Sequence, residues 1–123
     1  MGAHVLLVED SALVVGALRV LLEDGGYRVS AAGTVRGALA AAAEAPPDVM
    51  LLDLTLPDGD GLSVLERLAA AGAAPRVTVA VTGRDEPEVR ARCLAAGCRE
   101  VLVKPMNPMA LPRQIAGWLA DAG

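Results

Sequence analysis

Five short apolar runs recur along the chain, and each is followed by a stretch with helical periodicity. "HVLLVE" (His4–Glu9) is almost continuously apolar, the pattern of a strand covered on both faces. Ser11 stands at the N-cap position of a helix carrying "ALVVGALRVLLED", which Gly25-Gly26 ends. "YRVSAA" alternates more and suits a strand nearer a sheet edge. Thr34 caps "VRGALAAAAEA", which stops at Pro46-Pro47. "DVMLLD" is the third strand. A turn, "PDGDG", then leads into "LSVLERLAAA", closed by Gly72. "RVTVAVT" (Arg76–Thr82) is the fourth strand. Asp85 and Glu88 have the spacing of a capping box at the start of "EPEVRARCLAA", which Gly97 ends. "EVLV" is the fifth strand, and Asn107-Pro108 opens the last helix with proline at its first position. Pro112 lies one turn in and lacks the N–H that would reach the Pro108 carbonyl. It predicts a bent or frayed first turn.

Strands alternating with helices imply a parallel sheet with helices on both faces, and right-handed crossovers make it doubly wound. The class is α/β. In such sheets the working site lies beyond the C-terminal strand ends. Those ends carry Glu9-Asp10, Asp53, Thr82 and Lys104-Pro105. The topology therefore gathers three carboxylates, a hydroxyl and an ammonium on one rim. Adjacent carboxylates repel unless a cation sits among them. Oxygen ligands suit a hard, partly hydrated divalent ion such as Mg²⁺. A metal beside one free carboxylate, a lysine and a hydroxyl is equipment for phosphoryl transfer.

Composition narrows the alternatives. The chain has 123 residues, the size of one domain, and 54% are hydrophobic, with no Phe, one Tyr and one Trp. The net charge is -4, with no cluster of Lys or Arg, which argues against direct binding of nucleic acid. No apolar run is long enough to span a membrane, and the start lacks the pattern of a signal peptide. Cys93 and Cys98, with no second pair and no nearby histidine, do not form a zinc or disulfide framework. They fit reduced packing thiols in a cytoplasmic protein.

The strand-end motifs resemble the receiver domain of bacterial two-component response regulators. "VLLVED" is similar to its first strand and acidic pair, and "VMLLDLTLPDGDGL" to its phosphoacceptor strand and following turn. "VAVTG" resembles the strand ending in the switch hydroxyl, and "VLVKP" the lysine-proline signature. The resemblance runs from about His4 to Leu119. It implies one receiver domain over residues 1–123, flavodoxin-like, with strand order 2-1-3-4-5. It further implies that Asp53 is the phosphoacceptor in a phosphorelay. Asp10 and Asp53 would ligate Mg²⁺, with the backbone carbonyl of Thr55 and, through water, Glu9. Thr82 and Lys104 would contact the phosphoryl group. Pro105 would follow a cis peptide bond. The implied partners are a sensor histidine kinase or a histidine phosphotransfer domain, docking near Ser11, Ala12, Val14, Val15 and the loop after Lys104. The implied role is that of a signalling domain, not an enzyme acting on other substrates. The output, which the five units leave no room for, falls to another domain or partner.

Other readings of the same residues fare less well. A haloacid dehalogenase-type phosphatase wants a second acid two residues after its nucleophile, where this chain has Thr55. A calcium loop starting at Asp58 needs glycine sixth, where Ser63 stands. "EDSALVVG" lacks a glycine-rich nucleotide loop. The remaining alternative is a degenerate receiver that works as a phosphorylation-independent interaction module, and the intact set Glu9, Asp10, Asp53, Thr82 and Lys104 argues against it. Asp58 and Asp60 read as turn residues, with Asp60 capping the third helix. His4, at the start of the first strand, lies away from the rim. Two positions depart from the family's habit. Val101 replaces the usual ring three residues before the lysine, and Met106 replaces the common Phe after Lys-Pro.

Overall fold

A computed structural model of the chain describes residues 2–122. Its five main strands are β1 (His4–Val8), β2 (Arg28–Ala32), β3 (Val49–Asp53), β4 (Val77–Thr82) and β5 (Glu100–Val103). The helices between and after them are α1 (Ala12–Asp24), α2 (Val35–Glu44), α3 (Leu62–Ala70), α4 (Pro87–Ala96) and α5 (Leu111–Ala122). All neighbouring strands pair in parallel, in the spatial order 2-1-3-4-5. The fold is the doubly wound, flavodoxin-like α/β architecture that the alternation predicts.

The period of two along each strand divides the core. Val5 and Leu7 of β1, Val49 and Leu51 of β3, and Val77 and Val79 of β4 face one side, against Leu18 and Leu22 of α1 and Leu111 and Ile115 of α5. Leu6, Val8, Met50, Leu52 and Ala80 face the other side, against α2, α3 and α4. Each fully buried leucine or valine contributes about 1.5–3 kcal/mol relative to exposure. Strands β1, β3 and β4 are buried throughout, and β2, at the edge, is half covered.

Most of the expected helix boundaries are found. The Ser11 hydroxyl accepts from the Val14 N–H at 3.4 Å, and the Thr34 hydroxyl accepts from the Gly37 N–H at 2.8 Å. Gly97, at φ +111°, ends α4 in the left-handed region. Three details differ. The turn after β3 is a small antiparallel ribbon in which Thr55–Leu56 pairs with Gly59–Asp60. Two residues a side is too short for a periodicity signal. The Asp85/Glu88 capping box is not formed. Glu86 holds the N-cap position without a side-chain cap, and its carboxylate pairs with Arg84 instead at 2.8 Å. The last helix begins as a 3₁₀ turn, Pro108–Ala110, capped by the Asn107 side chain, before α5 proper starts at Leu111. That tightened turn is the form taken by the irregularity expected from Pro112, because the Leu111 N–H bonds the Pro108 carbonyl that Pro112 cannot reach.

Candidate functional site

Four strand ends build the rim. Asp53 is the last residue of β3 and its side chain is only 8% exposed. A carboxylate this buried needs partners, and it has two. The Thr55 N–H donates to its Oδ1 at 3.0 Å, and the Lys104 ammonium donates to its Oδ2 at 3.1 Å. Lys104 also reaches Glu9 Oε1 at 3.3 Å, while the Ser11 N–H donates to Glu9 Oε2 at 3.1 Å. Partial burial pulls the lysine downward. The Asp53 hydrogen bond and the charges of Asp53 and Glu9 outweigh it and hold the ammonium above the ordinary lysine value.

Carboxylate oxygens of Glu9, Asp10 and Asp53 lie within 4.8 Å of one another. Asp10 is exposed at the mouth, and Asp53 is buried at the base. One lysine faces three carboxylates, so the cluster keeps excess negative charge. Its donors are all hard oxygens. Both properties fit a divalent cation of the Mg²⁺ type, held by Asp10 and Asp53 with Glu9 nearby. Thr55 is exposed at the start of the short ribbon, next to Asp53.

Thr82 ends β4 one residue beyond Val81, the register partner of Asp53. Its side chain is buried, and its hydroxyl accepts from the Arg84 N–H at 3.0 Å. The hydroxyl proton remains for another acceptor. The Lys104 N–H bonds the Thr82 carbonyl at 2.8 Å, so the two residues share one backbone link. The Lys104-Pro105 peptide is cis.

The remaining acids have other work. Asp58 reaches across to α2, where its two oxygens accept from the Val35 N–H at 2.7 Å and the Arg36 N–H at 3.1 Å. Those two backbone bonds hold its carboxyl below the usual aspartate range. The sequence contains no local signal for this cap, because donor and acceptor lie in different units. Asp60 serves α3 from one position earlier than expected. Its Oδ1 accepts from the Leu62 N–H at 3.0 Å, Gly61 occupies the cap position, and the other Asp60 oxygen pairs with Arg92. His4 sits at the opposite end of the sheet, its ring nitrogens 2.7 Å from the Ser30 hydroxyl and 3.4 Å from the Pro46 carbonyl.

Two features were not found by sequence reasoning. Gly61 lies so close to β3 that a Cβ there would stand 1.9 Å from the Asp53 carbonyl oxygen. Only glycine lets the turn pass this near the carboxylate's own backbone. In addition, a cavity of ≈ 430 Å³ opens beside the rim, walled by aliphatic side chains that include Leu18, Leu51, Val81 and Met106, with Asp53 and Lys104 at its edge. Val14 of α1, which also lines this cavity, is partly exposed.

A family profile described as "Response regulator receiver domain" matches residues 5–116. The chain is 41% identical over 103 residues to the transcriptional regulatory protein KdpE of Mycobacterium tuberculosis, a match covering 84% of this chain and 45% of KdpE. It is 43% identical over 104 residues to protein-glutamate methylesterase/protein-glutamine glutaminase 5 of Myxococcus xanthus, covering 83% of this chain and 30% of that protein. The chain thus spans less than half the length of these relatives. Among solved structures, a response regulator receiver domain protein (CheY-like) from Methanospirillum hungatei superimposes with a TM-score of 0.89 at 28% identity, covering 99% of this chain and 97% of that one.

Proposed function

The chain belongs to the response regulator receiver domain family of two-component signalling, and from that premise we propose that it accepts a phosphoryl group on Asp53 in a Mg²⁺-dependent step of a phosphorelay. The observation that carries this reading is the Asp53 carboxylate, buried at a strand end, hydrogen-bonded by Lys104 at 3.1 Å and set among Glu9 and Asp10. An Asp53 oxygen attacks phosphorus, and the bond from phosphorus to the donor's leaving atom breaks. The Thr55 N–H on Oδ1 orients the carboxylate, and the Lys104 ammonium moves from Oδ2 to the incoming phosphoryl oxygens. The Thr82 hydroxyl donates to one of those oxygens. Mg²⁺, when held by Asp10, Asp53 and the Thr55 carbonyl with Glu9 through water, would neutralise charge on the phosphoryl oxygens.

The whole chain acts as one receiver unit, and its role is signalling. The donor is a sensor histidine kinase or a histidine phosphotransfer domain. Val14, exposed on α1 and lining the apolar cavity that Asp53 and Lys104 border, supplies an apolar contact for it. The output belongs to another domain or partner, as the names of the relatives imply for them. Among the described residues, no helix is long and apolar enough to cross a membrane. An interaction module that never takes phosphate is the weaker reading, because every side chain the chemistry needs is present.

The test is intact-protein mass spectrometry after incubation with Mg²⁺ and acetyl phosphate. Wild type should gain one phosphoryl group, and Asp53→Asn should gain none. Equal labelling of both would refute the assignment.

A further inference from the structure

A pair of thiols lies at the end of the sheet opposite the acidic rim. Helix α4 closes at Gly97 with two backbone bonds. The Cys98 N–H donates to the Cys93 carbonyl at 3.0 Å, and the Gly97 N–H donates to the Leu94 carbonyl at 3.1 Å. With Gly97 at φ +111°, this is a Schellman motif, a helix end in which the residue two past the end commonly packs on the one three before it. Here those residues are Cys98 and Cys93. Both are buried, at 6% and 1% exposure, and both belong to the core cluster that the sheet shares with α2, α3 and α4. The 6→1 backbone bond draws the two residues together, and a disulfide requires such closeness, with Cα atoms roughly 4.4–6.8 Å apart. We propose that Cys93 and Cys98 are a redox modification site, oxidised to an intramolecular disulfide that staples the end of α4 to the start of β5.

The place of these thiols in α4 explains both their protection and their access. Burial raises both thiols, Cys98 to about 12, so the closed form reacts slowly. Yet Cys93 is the sole fully buried side chain of α4, and most of the helix faces water. A helix with so little apolar anchorage opens locally at low cost, and opening exposes the pair. With a peroxide as oxidant, the Cys93 sulfur attacks one peroxide oxygen. The S–O bond forms, the O–O bond breaks, and the departing hydroxide takes a proton to leave as water. The Cys98 sulfur then attacks the Cys93 sulfur, the S–S bond forms, and the S–O bond breaks with release of a second water. Two thiols and one hydrogen peroxide give one disulfide and two waters, two electrons passing from sulfur to oxygen. The acidic rim takes no part, so this proposal stands or falls apart from the phosphoacceptor assignment.

Trypsin should cleave after Arg92 and Arg99, which places both thiols in one peptide, residues 93–99. The folded wild-type chain is treated with hydrogen peroxide, unfolded, labelled with a maleimide, digested and weighed. The expected peptide carries two hydrogens fewer and no maleimide, and dithiothreitol before labelling restores two labels. A peptide bearing two maleimides after peroxide, oxygens added to the sulfurs without a cross-link, or a disulfide to a second copy of the chain would each overturn the proposal.

Discussion

Asp53 and Asp58 are five residues apart, and the fold gives them opposite work. Asp53 ends a strand, so its carboxylate faces the rim, where Lys104 and the Thr55 N–H meet it. That placement was legible, as were Glu9, Asp10 and Lys104, because a parallel sheet puts its strand ends together whatever the detail of the helices. Asp58 was legible only as a turn residue, since its partners are the Val35 and Arg36 amides of another unit. Its folded-state value is depressed, so its contribution to stability is full above the unfolded value, near 3.8, and is lost as pH falls through the lower folded value. Asp58→Ala should therefore be less stable than wild type in urea at neutral pH, and the gap should close in strong acid. A gap that widens on acidification would contradict the cap. The same variant should bind Mg²⁺ by calorimetry much as wild type does, whereas Asp10→Ala should bind it far more weakly. Comparable losses in both would put the ion at the turn.

At the scale of elements, hydrophobic period and caps placed all five strands and all five helices within a few residues. Three things escaped, each for a physical reason. The Thr55–Leu56/Gly59–Asp60 ribbon is too short to show alternation. The capping box at α4 fails because the helix starts one residue later than the Asp85/Glu88 spacing implies, with Glu86 at the N-cap and Pro87 at the first position. The role of Gly61 depends on a close approach to β3, which no spacing along the chain reveals. Gly61→Ala forces a Cβ against the Asp53 carbonyl, and backbone there has no room to yield. Overpacking of this kind costs about 1–3 kcal/mol. Denaturant melts of the variant should fall by at least that range, with the Thr55 and Asp53 amide resonances displaced. Wild-type stability would show that the turn accommodates the methyl and that the glycine serves nothing structural.

Across the whole molecule, the sheet joins two ends with different duties, the acidic rim at one and the thiol pair at the other. Val101, buried on β5, stands where the family usually has a ring. A ligand shifts an equilibrium only by its differential affinity for the two states, and a valine gains little packing by moving inward. Phosphorylation should therefore change the β5–α5 face little. Sedimentation with and without beryllofluoride, a mimic of the phosphoryl group, should show the same mass. A monomer-to-dimer conversion that mutations on β5 and α5 abolish would mean that coupling survives without the ring. Which carboxylate takes the phosphoryl group can be read out directly. Borohydride reduces an acyl phosphate to an alcohol and leaves free carboxylates alone, so protein treated with acetyl phosphate and Mg²⁺, then borohydride, records the modified residue in its fragment masses. The alcohol should form at residue 53 and nowhere else. Reduction at Asp10 or Asp58, or at no aspartate, would contradict it.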